Sequence, residues 1–123
     1  MAFSISSFDK RIRQDLETME ERGGMVKAGL IEKLRVKKVS PELLHVNPDD
    51  EFSDPNIGPN DAIISNYCKI AMRNQSMHSE VFDEPIIVNR LERGGYMILN
   101  GHHRWAGALI AHVPTVRISV KDP

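Results

Sequence analysis

The sequence predicts an α+β domain, with helices packed on a small mixed β-sheet. Two observations point there. Apolar residues recur at helical spacing near the N-terminus and again in the middle of the chain. Short strand-like runs (LRVKKV, PIIVNRL, YMIL and TVRISV) are set between them by Gly, Pro and Asn. The resulting order is helices, strand, long loop, helix, hairpin, helix, strand, which is an α+β pattern.

Ser6 or Ser7 can cap a first helix, in which Phe8, Ile12, Leu16 and Met19 form one stripe before Gly23-Gly24. A second short helix is expected over Met25 to Lys33. Leu34 to Val39 reads as a strand. Ser40 and Pro41 then start one helical turn, with serine as cap and proline at the first position. His45 to Asp61 is a long loop, rich in Pro, Asp and Asn. Loops of this length in small domains tend to carry function. Asn60 can cap the next helix, with Ile63, Tyr67 and Ile70 on one face. The runs around Glu92-Arg93-Gly94-Gly95 read as a hairpin. A helix from His102 to Ala111 and a last strand close the pattern.

The 123 residues, 41% hydrophobic and 27% charged, suffice for one domain with a real core. We place an N-terminal helical extension at 1–32 and the domain proper at 33–123. No apolar run approaches the roughly 20 residues that span a bilayer. The first residues lack the apolar core of a signal peptide, so a cytoplasmic location without membrane partners is expected. The single cysteine, Cys68, allows no internal disulfide and reads as a core or boundary residue. Net charge is −1, too little for strong non-specific nucleic-acid binding. It is unevenly spread: +3 over residues 1–40, −7 over 41–84 and +3 over 85–123.

The chemically distinctive stretch is NGHHRW, Asn100 to Trp105. Two histidines and an arginine crowd the expected first turn of a helix. Cations are disfavoured there by the helix dipole. Asn100 fits the N-cap, and Gly101 brings the backbone close to a ligand. Backbone N–H groups and the dipole suit a phosphate. Arg104 adds a planar fork of donors, while His102 and His103 can donate or shuttle a proton. A second reading stays open: both histidines are neutral and Arg104 meets a carboxylate of the acidic middle. No metal site is expected from the histidines, because neighbours on a helix point about 100° apart. Trp105 and Ile110 read as core.

Residues Pro85 to Val120, and more loosely Lys33 to Pro48, resemble the N-terminal domain of the ParB/sulfiredoxin superfamily. The resemblance rests on the strand, turn, apolar strand, Gly-x-x-Arg loop at Gly101–Arg104, and final strand after Val113-Pro114. It implies the fold and a phosphate-binding loop. ParB partition proteins bind CTP and DNA through a Gly-Glu-Arg-Arg type loop; here His102 and His103 replace its Glu-Arg. The chain ends after this domain, so no helix-turn-helix reader is expected. Sulfiredoxin carries Gly-Cys-His-Arg, and His102 stands where its cysteine would be. A third branch phosphorylates free serine, with a Gly/His/Arg loop and an acidic base.

That third branch is nearest in site chemistry. The resemblance implies a nucleotide, ATP or ADP with CTP as a further choice, held by Asn100, Gly101, His102, His103 and Arg104. Phosphoryl transfer to a small hydroxyl compound would use Mg²⁺ and His103 and, on chemical grounds, a carboxylate among Asp49, Asp50 and Glu51 as base, with Asp54 a further acid of the same loop able to serve as base or hold Mg²⁺. The competing expectation is a non-catalytic, nucleotide-switched module for DNA or protein. A ParB-like nuclease would need the same loop acids as metal ligands. Residues 1–32 lie outside the resemblance; covering the sheet, forming a homodimer arm and recruiting a partner are the roles open to them.

Overall fold

The strand runs pair into one five-stranded mixed sheet. In the computed structural model the described residues are 36–121. Both expected N-terminal helices, the boundary at residue 32 and the first two residues of the LRVKKV run lie outside them. The strands are β1 (Val36–Val39), β2 (Leu44–His45), β3 (Ile86–Arg90), β4 (Tyr96–Asn100) and β5 (Val116–Val120), in the order β1-β5-β3-β4-β2. β1 and β4 run antiparallel to β5 and β3 respectively. β5 pairs parallel with β3, and β2 parallel with β4. The helices are α1 (Asp61–Ser76) and α2 (His102–Ile110). The expected α+β class is therefore the observed one.

Local chemistry explains most boundaries. Ser40 Oγ accepts from Glu42 N–H at 3.3 Å, with Pro41 opening a 3-10 turn. Asn60 caps α1 by accepting from Ile63 N–H at 3.0 Å, as its position suggested. Gly94 and Gly95 turn the β3–β4 hairpin with positive φ. Two elements were not expected: the two-residue strand β2 at the start of the long loop and a 3-10 turn at Glu51–Ser53 within it. Both are too short to leave a periodic signal.

Alternation in the strands sorts the core. Ile86 and Val88 of β3, Ile98 of β4, and Val116, Ile118 and Val120 of β5 share one cluster with both helices. Trp105 lies in it, fully buried, with its indole N–H donating to Pro41 O at 2.8 Å. Ile87, Leu91, Met97 and Leu99 form a second cluster, as period-two alternation requires of residues on the other face. On α1 the buried stripe is Ile64, Cys68 and Ala71. The stripe expected from sequence, Ile63, Tyr67 and Ile70, sits one residue to the side and borders a cleft instead. Among the described residues no helix is long and apolar enough to cross a membrane.

The two helices meet at Gly107. A Cβ there would stand 2.7 Å from Cys68 N and 2.8 Å from Tyr67 C, both backbone atoms of α1. Glycine costs about 1 kcal/mol of helix propensity relative to alanine, and close helix approach offsets it. Gly107→Ala is expected to lower unfolding free energy by roughly 1–3 kcal/mol through overpacking. Urea denaturation measures this; an unchanged midpoint would show that α1 can step aside without loss.

Candidate functional site

The site begins where β4 ends. Asn100 is the last residue of the strand, and Gly101 follows with φ 111°, in the left-handed region. Gly101, not Asn100, occupies the N-cap position, which corrects the sequence expectation. No side chain caps α2, and its first intrahelical bond is Trp105 N–H to Gly101 O at 2.9 Å. The amides before Trp105 have no partner within the helix. Asn100 fails as a cap because its Oδ1 is engaged elsewhere, accepting from Arg104 Nη2 at 3.1 Å.

Arg104 curls back over Gly101. A Cβ on that glycine would lie 2.9 Å from Nη2 and 3.2 Å from Cζ, so glycine is needed for space as well as for φ. Nη1 donates to Glu84 O at 2.9 Å and Pro85 O at 3.3 Å. The side chain is 9% exposed and, among the described residues, has no carboxylate within ion-pair distance. Burial lowers its proton affinity, while Tyr67 and Glu84 raise it. Arginine stays cationic throughout the physiological range. Its partners in the acidic middle are thus main-chain carbonyls rather than carboxylates.

A second arginine, not singled out from sequence, completes this clamp. Arg117 on β5 donates through Nη2 to Phe82 O at 2.6 Å and Asp83 O at 3.0 Å, and its Nε stands 3.4 Å from Glu80. The four consecutive carbonyls of Phe82 to Pro85 therefore all end on guanidinium groups. That fixes the segment before β3 as a wall beside α2.

The two histidines hold the long loop. His102 Nε2 accepts from Asn47 N–H at 2.9 Å, and His103 Nε2 accepts from Asn60 N–H at 3.1 Å. A ring nitrogen that accepts carries no proton, so each neutral ring bears its hydrogen on Nδ1. His102 Nδ1 faces Asp50 Oδ2 at 3.5 Å. Phe52 packs against both imidazoles, with ring centroids 5.3 and 5.2 Å away. Burial drives the His102 pKa down to about 4, against the pull of Asp50 and together with the repulsion of His103. Burial also lowers that of His103, opposed by Asp50. The two histidines of the first turn thus add no charge beside Arg104.

A cleft of about 730 Å³ opens over these residues. Ile63, Tyr67, Ile70 and Arg73 of α1 form one side. Phe82, Asp83 and Glu84 form another. Asn100 to Arg104 lie along the bottom, and Asp50 enters from the loop. All five residues expected to hold phosphate therefore border one space. Of the expected loop acids only Asp50 does; Asp49, Glu51 and Asp54 are not on its lining. The reason is local. Asp50 turns inward to cap the 3-10 turn, its Oδ2 accepting from Phe52 N–H at 2.9 Å, while Asp49 and Glu51 are exposed. Asp54 is likewise tied into its own turn, accepting from Asn56 N–H at 2.8 Å. Among the described residues no group of three His, Cys, Asp or Glu could hold a metal ion. Asp83 and Glu84 escaped the sequence analysis, because only the arginine clamps bring that connector to the cleft.

The His102 shift has a stability consequence with a definite sign. The unfolded imidazole titrates near 6.5 and the folded one at about 4, so the unfolded chain binds the extra proton first. Stability is full above pH 6.5 and falls as pH drops towards 4, by an amount on the order of a few kcal/mol. Urea unfolding at pH 7, 6, 5 and 4.5 should show this slope. His102→Gln, which keeps an acceptor but takes no proton, should flatten it. An equal slope in the variant would assign the acid sensitivity to other groups.

Comparison with known proteins agrees with this geometry. Residues 65–123 match the family model of the ParB N-terminal domain. No curated protein matches the sequence. Among solved structures, the chain is similar to the C-terminally truncated chromosome-partitioning protein ParB from Caulobacter crescentus complexed with CTP-gamma-S. The identity is 24% and the TM-score 0.53, over 72% of this chain and 44% of that one. The same ParB complexed to the centromeric parS site matches at 24% identity and TM-score 0.51, over 70% and 38%. Sulfiredoxin from Arabidopsis thaliana matches at 14% and TM-score 0.52, over 72% and 85%. The chain spans less than half the length of the ParB structures it resembles. Sheet order, helix placement and the glycine-to-arginine turn into α2 thus give the described residues a ParB/sulfiredoxin-like fold.

Proposed function

We propose that this domain binds the phosphates of a nucleotide at the start of α2. One observation carries the reading. Arg104 is a buried cation whose hydrogen-bond partners among the described residues are neutral, with the Glu84 carboxylate acting on it only from beyond ion-pair distance, and it sits where an uncapped helix adds further positive potential. Buried charge without a counterion is costly. A phosphate would remove that cost while meeting the amides of the first turn. Asn100, Gly101, His102, His103 and Arg104 all border the space such a ligand would fill. The apolar side of the cleft, exposed Ile63 with half-buried Tyr67 and Ile70, is suited to a sugar or base. The Caulobacter ParB complexed with CTP-gamma-S supports a nucleotide over a bare anion, and CTP enters beside ATP and ADP as a candidate. The described residues offer no metal site of their own, so a Mg²⁺ requirement would be set by the nucleotide.

The finer proposal is phosphoryl transfer to a small hydroxyl compound. Asp50 would then take the hydroxyl proton as the oxygen attacks the terminal phosphorus, with the nucleoside di- or monophosphate leaving. Its carboxylate is the one expected loop acid on the cleft. The alternative is a nucleotide-switched module without turnover, acting on DNA or protein. The ParB complexed to parS favours that reading.

Calorimetry with ATP, ADP, CTP and inorganic phosphate, with and without Mg²⁺, tests the shared core of both. At least one nucleotide should bind, and Arg104→Lys should weaken it tenfold or more, about 1.4 kcal/mol, because lysine cannot span the carbonyl clamp and the ligand together. Silence with every anion would sink the nucleotide reading. Asp50→Asn separates the two readings: a transferase loses turnover and keeps its affinity, since asparagine still caps the 3-10 turn. A switch module has no turnover to lose.

A further inference from the structure

His103 holds two positions at once. It borders the cleft, and through Nε2 it accepts the amide of Asn60, the N-cap residue of α1. With Nε2 accepting, the ring hydrogen belongs on Nδ1. Among the described residues that donor has no partner. His102 differs: it is almost wholly buried, and both its nitrogens face the loop, at Asn47 and Asp50.

Resting on the nucleotide reading above, we propose that His103 is a two-ended relay which couples anion occupancy at α2 to the anchoring of the 47–60 loop and the start of α1. An anion accepting from Nδ1–H pulls that proton outward and pushes electron density into the ring, towards Nε2. Nε2 then becomes a better acceptor, since hydrogen bonds in a chain reinforce one another. The bond to Asn60 shortens its open time. Asn60 in turn caps α1 through Ile63 N–H, and Ile63, Tyr67 and Ile70 form the apolar side of the same cleft. Ligand at one end of the imidazole thus steadies the wall that contacts the rest of the ligand. The other anchor, His102 to Asn47, is buried, packs against Phe52 and has both ring nitrogens turned to the loop, so it serves as the fixed end. His103 acts here as a positioning residue for the loop and as a donor to the anion.

Two measurements on the whole chain test the relay. First, imidazole nitrogen chemical shifts report the tautomer before any ligand is added. A pyrrole-type Nδ1 and pyridine-type Nε2 are expected for His103; the reverse assignment overturns the proposal. Second, amide hydrogen exchange of Asn60 is followed with inorganic phosphate and with whichever nucleotide calorimetry shows to bind. Exchange should slow several-fold at saturation. In His103→Phe, which keeps a ring against Phe52, the nucleotide should bind several-fold more weakly, and Asn60 exchange should ignore it. A merely structural histidine would change the resting exchange rate but leave no ligand-dependent change to abolish. Binding with unchanged or faster Asn60 exchange in the parent chain overturns the relay and spares the nucleotide reading. Absence of binding by any anion overturns both.

Discussion

The guanidinium of Arg104 lies directly against the α-carbon of Gly101, and much of the site follows from that contact. It demands a residue without a side chain at the strand-to-helix turn, and that residue must also accept a left-handed backbone. From this seat the planar group reaches two other chain segments: the end of β4 through Asn100 and the connector before β3 through two carbonyls. Neutral oxygens satisfy its hydrogens without cancelling its charge. Directionality and charge are thereby separated. The arginine is structurally engaged, yet its field remains in the cleft, where the open end of α2 reinforces it.

His102, His103 and Arg104 are neighbours in sequence but not in task. Successive helical residues point about 100° apart, so the three side chains leave α2 in three directions. One reaches Asn47, one Asn60 and one the Glu84–Pro85 carbonyls. An irregular loop running from His45 towards α1 has few backbone partners of its own. Two neutral imidazoles supply acceptors near its two ends. Phe52 fills the space between them, so the loop is held by packing as well as by hydrogen bonds. The same divergence that argued against a shared metal explains why the pair can serve as separate anchors.

The fold class, the main strands and both described helices were legible because they extend over several residues. Periodicity and capping chemistry mark them locally: Ser40, Asn60 and the glycines of the hairpin all sit where their side-chain or backbone preferences predict. β2 was not legible, since two residues have no period. Within the site, Gly101 to Arg104 was legible as a cluster, but the state of its histidines was not. Protonation is set by burial and by the distant amides of Asn47 and Asn60, which sequence proximity does not show. The wall of Phe82, Asp83 and Glu84 was hidden for the same reason. It is tied to α2 by Arg104 and to β5 by Arg117, both distant from it in sequence.

Fold likeness leaves the chemistry open, and His102 shows where the chemistry divides. In the sulfiredoxin resemblance this position belongs to a reactive cysteine. Here the imidazole is buried, accepts an amide proton at Nε2 and faces Asp50 with Nδ1. Such a group neither attacks phosphorus nor passes a proton outward, and Cys68 lies on the core-facing stripe of α1. Thiol chemistry therefore has no residue to work through at this loop. The neighbouring position keeps its ring on the cleft, and Arg104 keeps its charge there. On the proposed reading the anion would meet this loop at His103 and Arg104, while His102 and His103 tie the loop to Asn47 and Asn60.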